Sequence, residues 1–426
     1  MQVVDSQILD TQQSADSQST GNDLFQSTQR ALAGYMPALD GVRGIAIFLV
    51  IAHNLAIPTG SQPDGALVTL ARIFTNAGWI GVQLFFVLSG FLITSILLQE
   101  KTTGKISPLQ QWRQFYVRRF LRIFPLYYVT LIVGLLLLPA LGISISWLRD
   151  PQEHAAWYWF FVSNWGYAWV ELGGGFSHFW SLAVEEQFYL AWPLLLLFVT
   201  RGTAQWICLL LVVFATLFRI ALILHSPEFA SKAAYTLTVA RMDALAIGAL
   251  LAIWLRTPRS FSRLNVGVIP AQMLGFAGLL LVIGVCHNFA PVLLPEQPRD
   301  YLGLFNQSLA ALLSATLIVQ AVVPAFSNDW ASRLRSGVQR ALNVGPLRTL
   351  GKYSFAVYVF HLPMLIAWRN ATSGFLPVDK WGVLPVAGVN LVAVTLLSLL
   401  AARISWQMLE RPCLKLKSRL APRVSV

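Results

Sequence analysis

The sequence predicts an all-α fold, a polytopic transmembrane bundle of about ten helices. Hydrophobic residues make up 56% of the 426 residues and charged residues only 12%, whereas a soluble domain carries roughly 25% charged residues. Five stretches longer than the roughly 20 residues that a bilayer-spanning helix needs contain no charged residue at all. These observations exclude an ordinary water-soluble domain.

Ten apolar stretches are long enough to be spans. They are predicted at 42–58, 79–98, 123–141, 179–199, 203–224, 236–255, 266–288, 305–326, 352–371 and 383–408. Segment 142–178, between the third and fourth spans, is rich in tryptophan, which favours the membrane interface. We expect it to lie along the outer surface, with a short or re-entrant helix around residues 154–169.

The basic residues predict how the spans are oriented. With the N-terminus placed in the cytoplasm, the alternation of spans puts 21 Lys and Arg residues in inner segments and 5 in outer segments. Cytoplasmic loops are the ones enriched in Lys and Arg. We therefore predict that both termini are cytoplasmic. Topology accounts for the net charge of +12, so nucleic acid is not an expected partner.

Three domains are predicted from these patterns. Residues 1–36, whose beginning is rich in Gln, Ser, Asp and Thr, are expected to be a disordered cytoplasmic tail, residues 37–412 the membrane domain, and residues 413–426 a basic cytoplasmic tail. The three cysteines form no CxxC motif and no cluster with histidine, so no metal site is expected.

Ionisable residues inside the spans are the candidates for function, because a charge near the bilayer centre costs about 2.5–3.5 kcal/mol on insertion scales. Arg43 and His53 lie on the first span. Ten residues of helix rise about 15 Å, which places His53 near the middle of the bilayer. Imidazole is well suited to take up and return a proton, so His53 is the candidate general base.

Two adjacent carboxylates near the start of the fourth span, Glu185 and Glu186, point about 100° apart on a helix. They either orient a histidine such as His178 or interact with the helix dipole. On the sixth span, Arg241 and Asp243 are either functional or paired with other helices for stability. Arg219, Arg369 and Arg403 lie near span ends, where we expect their side chains to reach for the interface.

Several sequence segments together resemble the bacterial membrane-bound acyltransferase family 3. They occur in family order, and the one around Glu185 is the most distinctive. The segments are LDGVRGIA from Leu39 with the following His53, GWIGVQLFFVLSGF from Gly78, RRFLRIFPLYY from Arg118, HFWSLAVEEQFYL from His178, RMDAL from Arg241, YVFHLP from Tyr358 with His361, and ERP from Glu410.

The resemblance implies O-acylation, usually O-acetylation, of a carbohydrate or glycolipid hydroxyl at the cell envelope, with cytoplasmic acyl-CoA, expected to be acetyl-CoA, as donor. It also implies that the protein lies in the cytoplasmic (inner) membrane of a bacterium. It also implies functional roles for Arg43 and His53, and places Arg119 and Arg122 near the donor. Together with Arg118 they form a basic strip that either binds the CoA phosphates or is a topology signal. The family usually has ten residues between the first-span arginine and histidine, and this chain has nine. That spacing turns Arg43 and His53 about 80° apart, unless the helix contains a bulge.

The mechanism is left open between two routes. In direct transfer, His53 deprotonates the acceptor hydroxyl as it attacks the thioester, Glu185 or Glu186 orients a histidine, and an arginine stabilises the oxyanion. In the second route a histidine carries the acyl group across the membrane. A proton-coupled transporter or flippase is the rival function, since it also needs buried His, Glu and Arg. No repeated halves are evident, unlike in many transporters.

Overall fold

Helices make up nearly all of the chain that the computed structural model describes, namely residues 21–55, 57, 65–103, 107–288, 303–325 and 329–421, and these ranges contain no β-strand. The first ten helices are α1 (Gly21–Ala33), α2 (Pro37–Asn54), α3 (Ala66–Asn76), α4 (Ile80–Thr103), α5 (Pro108–Leu131), α6 (Arg149–Glu153), α7 (Ala155–Trp159), α8 (Ser163–Trp169), α9 (Trp180–Phe198) and α10 (Arg201–His225). The remaining ones are α11 (Pro227–Thr236), α12 (Thr238–Leu255), α13 (Pro258–Asn288), α14 (Gly303–Val322), α15 (Trp330–Leu342), α16 (Gly345–Lys352), α17 (Ser354–Thr372), α18 (Val378–Trp381), α19 (Val383–Ser405) and α20 (Arg411–Leu420).

Each predicted span overlaps one long helix, so the all-α prediction is confirmed. Among the described residues, five helices are long and apolar enough to cross a membrane, or seven if two bent pairs each count as one span. One bent pair is α1 with α2, and the other is α16 with α17. The chain therefore has several apolar helices of spanning length, and the count of ten stays a prediction.

Several long helices begin at residues that satisfy the free backbone N–H groups of the first turn. Ser107 accepts a hydrogen bond from the backbone N–H of Gln110 at the start of α5 (3.2 Å), and Thr200 does the same for Thr203 at the start of α10 (3.1 Å). Helix α2 begins with Pro37, whose missing N–H costs nothing at that position. These local signals explain why the helices start where the apolar stretches predict.

Glycines bring α2 into backbone contact with the end of α15 and with α16. A Cβ added to Gly41 would collide with the carbonyl oxygen of Leu342, one on Gly44 with that of Leu347, and one on Gly351 with that of Asp40. Small residues permit this close approach between membrane helices. The glycines on either side of Arg43 thus fix the position of that arginine.

The helices α4 and α12 are packed in the same way. A Cβ on Gly90 would collide with the carbonyl oxygen of Leu245, and one on Gly248 with that of Val87. Helix α12 is buried almost throughout. These two helices therefore form the centre of the protein, with α2, α9 and α14 packed around α4.

The tryptophan-rich segment 142–178 forms short helices that cover α5 and α9. Tyr127 donates a hydrogen bond to the carbonyl oxygen of Tyr158 (2.7 Å), and Tyr128 donates to that of Trp159 (3.1 Å). Gln187 of α9 donates to the carbonyl oxygen of Phe161 (2.9 Å). Helices α7 and α8 lie where a short helix was predicted.

Residues 21–33, which were predicted to belong to a disordered tail, form helix α1. Residues 1–20 lie outside the described residues, but α1 is a helix that buries Leu24 and Leu32. Phe25 packs edge-on against Phe261 (5.4 Å between ring centres), and Gln29 donates to the carbonyl oxygen of Leu255 (2.7 Å). The low overall hydrophobicity of the tail concealed these apolar positions, which recur at helical spacing.

Segments predicted on the same side of the membrane meet in the structure. Lys101 donates to the carbonyl oxygen of Val199 at the predicted inner end of the fourth span (3.1 Å), and Arg335 donates to Asn265 of another predicted inner segment (2.8 Å). At the other end, Asn164 of the outer segment donates to the hydroxyl of Thr238 (3.0 Å). The packing is therefore compatible with the predicted alternation of spans.

Candidate active site

A cavity of about 790 Å³ opens between α2, α5, α16 and α20, and we call it the basic cavity. Its cationic lining residues come from four separate parts of the sequence, and they are Arg43, Arg118, Arg119, Arg122, Arg348, Lys352 and Lys417. Asp40 also lines it. All of these cations except Arg43 belong to segments predicted to face the cytoplasm, so the fold concentrates them around one opening.

Two of the cations in the basic cavity have acidic partners. Arg43 forms an ion pair with Asp40 (2.9 Å), which also accepts a hydrogen bond from Tyr35. Arg118 forms an ion pair with Glu100 (2.6 Å). These pairs hold two guanidinium groups in place at the cavity wall. The lining of the basic cavity as a whole still carries a strongly positive net charge.

A smaller cavity of about 110 Å³ lies deeper in the bundle, and we call it the carboxylate chamber because Glu185 and Glu186 line it. Arg43, Arg119 and Arg122 line both this chamber and the basic cavity, so the two are adjacent. Glu185 accepts a hydrogen bond from Tyr189 (2.7 Å), and the guanidinium of Arg119 lies over the Tyr189 ring (4.9 Å). The remaining wall is largely apolar.

A third cavity of about 140 Å³ contains His53 and His178 in its wall, and we call it the histidine chamber. Nδ1 of His53 lies 3.1 Å from the carbonyl oxygen of Thr75. A carbonyl oxygen only accepts hydrogen bonds, so in the neutral ring Nδ1 is the nitrogen that carries the proton and Nε2 has the free lone pair. His53 is therefore held in the tautomer that a general base requires.

His178 forms a buried aromatic cluster with His361. Their ring centres are 4.7 Å apart and the rings are nearly perpendicular. Nδ1 of His361 lies 2.6 Å from the carbonyl oxygen of Tyr358, while only His178 reaches the chamber wall. The structure thus places His361 behind His178, away from the described cavities.

Arg43 and His53 line different cavities among those that the described residues form. Helix α2 is a regular α-helix from Pro37 to Asn54, without the bulge that would realign them. Arg43 lines the basic cavity and the carboxylate chamber, whereas His53 lines the histidine chamber. The shortened spacing therefore corresponds to a real separation of the two groups.

Glu185 and Glu186 are likewise separated from the histidines. Neither carboxylate lines the histidine chamber. His178 lies in the turn before α9, and seven or eight residues of helix carry the carboxylates about 10–12 Å further along. The expected orientation of a histidine by one of them is not what the packing provides. Their neighbours are Arg119 and Tyr189.

The charged residues of α12 serve different purposes. Asp243 forms a fully buried ion pair with Arg219 (2.9 Å) and accepts a hydrogen bond from Ser308 (2.6 Å). Arg219 was expected to reach for the interface, and this is wrong, because its side chain is only 2% exposed. A buried carboxylate opposite α10 holds it inside the bundle.

Arg241 lies inside an aromatic cage. Its guanidinium carbon is 5.3 Å from the ring centre of Phe86, 5.7 Å from that of Trp180 and 5.2 Å from that of Tyr235. Cation–π contacts of this kind stabilise a desolvated guanidinium. Trp180 and Tyr235 also line the histidine chamber, so Arg241 supports one wall of it.

A family comparison identifies the chain. A model of an acyltransferase domain matches residues 36–403. The chain belongs to acyltransferase family 3. Among its relatives within this family are the peptidoglycan O-acetyltransferase OatA of Listeria monocytogenes, 29% identical over 387 residues and covering 87% of this chain, and the O-acetyltransferase OatA of Staphylococcus aureus, 27% identical over 396 residues and covering 89%.

The putative peptidoglycan O-acetyltransferase YrhL of Bacillus subtilis is also similar, with 27% identity over 396 residues and 89% of this chain covered. The chain spans a little over half the length of these acyltransferase relatives, between 55% and 57%. No solved structure gives a significant match. The family resemblance inferred from the seven sequence segments is therefore confirmed.

Sequence reasoning did not single out Tyr358 and Tyr189. Tyr358 lines both the carboxylate and the histidine chambers, and Tyr189 binds Glu185. Both tyrosines stand inside family segments, beside the histidine or the glutamates that attracted attention. An aromatic residue in an apolar helix gives no signal of its own, so only the packing distinguishes these two from ordinary core residues.

Proposed function

We propose that the chain is a membrane-embedded O-acyltransferase that moves an acetyl group from acetyl-CoA to a hydroxyl of a cell-wall carbohydrate. Membership of the acyltransferase family and three relatives named as O-acetyltransferases support the reaction and the class of acceptor. The observation that carries the proposal is the arrangement of cavities. A cationic opening leads to a chamber that adjoins the one containing His53.

The basic cavity fits the donor. Coenzyme A carries phosphate groups at one end and the thioester at the other, and arginine binds phosphate with paired N–H donors. Arg118, Arg348 and Lys352 line the opening, while Arg119 and Arg122 continue into the carboxylate chamber. Acetyl-CoA would thus enter from the cytoplasm with its phosphates at the opening and its thioester directed inward.

His53 is the proposed base, and Arg43 a residue that positions the donor. Nε2 of His53 takes the proton of the acceptor hydroxyl while that oxygen bonds to the thioester carbonyl carbon. The C–S bond then breaks, and the coenzyme A thiolate takes up the proton returned by the imidazolium. The acceptor would reach the histidine chamber from the outer side, where Arg369 of α17 donates to the carbonyl oxygen of Leu55.

Glu185, Glu186 and His178 take supporting roles in this proposal. Glu185 holds Tyr189, over whose ring Arg119 lies, and Glu186 lines the same chamber beside the thioester. His178 forms the wall of the histidine chamber next to His53, backed by His361. Arg241 and Asp243 stabilise the surrounding helices.

The proposal is tested with purified protein in lipid vesicles, acetyl-CoA labelled in the acetyl group, and cell-wall glycan fragments. We expect ester-linked label on the glycan that is released by mild base. Labelled glycan should be absent when either the donor or the protein is omitted. A protein that binds and moves glycan without ever incorporating label would instead act as a flippase.

A further inference from the structure

Two side chains separate the carboxylate chamber from the histidine chamber. Val82 of α4 and Tyr358 of α17 line both, and the two chambers share no other lining residue in the described part of the chain. Each chamber is small, about 110 and 140 Å³ against about 790 Å³ for the basic cavity. The junction between donor and acceptor sides is therefore bounded by one valine and one tyrosine.

Tyr358 is fixed by hydrogen bonds at its hydroxyl end. Its hydroxyl donates to the carbonyl oxygen of His178 (2.8 Å) and lies 2.5 Å from Oγ of Ser181. The ring packs edge-on against Phe85, with 6.3 Å between ring centres. Rotating the ring out of the junction would break both polar contacts inside the bundle, which makes the position of the ring well defined.

Val82 is fixed through the backbone of its own helix. A Cβ on Gly78 would collide with the carbonyl oxygen of Leu49, and one on Gly81 with that of Ala46, so α4 already lies against α2 at the closest possible distance. Valine also has a stiff side chain, because branching at Cβ restricts its rotamers. The width of the junction is therefore set by backbone packing and by the size of residue 82.

We propose that Val82 and Tyr358 form the constriction that selects the transferred acyl group by size, so that acetyl is favoured over longer chains. This inference rests on the proposed function. In the proposed function, the thioester carbonyl meets the acceptor oxygen at this junction. The thioester end of the donor already occupies part of the carboxylate chamber, which leaves little room there for the acyl chain. Each added methylene must then fit between two side chains that cannot move apart.

The test changes the size of residue 82 in both directions. Val82→Ala widens the junction and Val82→Ile narrows it. The control is Val87→Ala, the same truncation at a fully buried valine of α4 that lines neither chamber. Transfer rates from acetyl-CoA, propionyl-CoA and butyryl-CoA to one glycan acceptor give a chain-length ratio for each protein.

We expect Val82→Ala to raise the ratio of butyryl to acetyl transfer by about tenfold, since one methylene in a confined apolar site changes rates by about that factor or more. Val82→Ile should lower the ratio, and Val87→Ala should leave it as in the unmodified protein. An unchanged ratio in both Val82 variants overturns the inference, as does an equal shift in Val87→Ala. The proposed function itself fails if the unmodified protein transfers no acyl group from any donor.

Discussion

His53 and Thr75 are joined by a contact that determines the chemistry available to the histidine. Nδ1 of His53 lies 3.1 Å from the backbone carbonyl oxygen of Thr75, so in the neutral ring Nδ1 carries the proton and Nε2 has the free lone pair. A backbone carbonyl does not titrate and keeps the ring in this tautomer. The structure thus orients the ring of the proposed base, where the sequence showed only a deep histidine.

Replacing His53 by alanine is expected to abolish most acyl transfer while leaving the protein folded. Loss of a general acid–base group typically lowers a rate by about 10²–10⁴-fold. The measurement is the rate of label transfer by equal amounts of purified protein. His225→Ala, at an exposed histidine of α10 that lines no described cavity, is the matched control and should retain full activity. Normal transfer by the His53 variant would show that His53 is not the general base.

Replacing Arg119 and Arg122 together by alanine is expected to weaken donor binding. Each charge-assisted hydrogen bond to a phosphate is worth about 1.5–3 kcal/mol, so losing two should raise the Kd for acetyl-CoA by at least tenfold. The Kd is measured by titration calorimetry in detergent. Arg113→Ala, at an exposed residue of the same helix that does not line the basic cavity, is the control. Equal affinities in all three proteins would make the strip a topology signal only.

Replacing Asp243 by alanine is expected to destabilise the bundle, because Arg219 would keep a buried charge without its partner. Breaking such a pair costs about 3–5 kcal/mol. Thermal unfolding in detergent should show a clear fall in Tm. Glu171→Ala, which removes the exposed partner of Lys232, should leave the Tm nearly unchanged.

The same pair offers a second variant that separates charge from volume. Changing Arg219 to Met and Asp243 to Leu replaces both charges by apolar groups, which is often neutral or stabilising. The double variant should therefore regain most of the Tm lost in Asp243→Ala. A double variant as unstable as the single one would show that hydrogen bonds, such as the one from Ser308, matter more than the ion pair.

Reporter fusions test the predicted orientation. A fusion after Lys101 should report the cytoplasm and a fusion after Lys380 the outer side, since the positive-inside pattern places these residues on opposite sides. Each position is fused separately to alkaline phosphatase and to a fluorescent protein, so that either location gives a positive signal from one of the two reporters. The same side for both fusions would contradict the span map and the cytoplasmic entry of the donor.

Much of the fold was predictable because length and apolarity decide which segments form membrane helices. The ten apolar stretches correspond to long helices, and the glycines of the first family segment mark the packing of α2 on α16. Helix α1 was missed, since its buried face consists of a few apolar residues in a polar stretch. The overall composition of the segment does not show such a face, because its few apolar residues are outnumbered by polar ones.

The site was predicted less completely, because cavities depend on how helices meet. The spacing of Arg43 and His53 on one helix indicated different directions, which agrees with the two cavities that they line. The contact of Arg119 with the Tyr189 ring, and the aromatic cage around Arg241, bring together residues of several helices. No spacing within one helix encodes these contacts.

The most direct test of the account is transfer across a sealed bilayer. Vesicles are prepared with the protein in one orientation, labelled acetyl-CoA on the side of Lys101, and glycan fragments on the side of Lys380. The account predicts ester-linked label on the glycan with the unmodified protein and at least a hundredfold less with His53→Ala. The account would be contradicted if label appeared only when donor and glycan are on the same side of the bilayer. It would also be contradicted if the amount of label did not depend on His53.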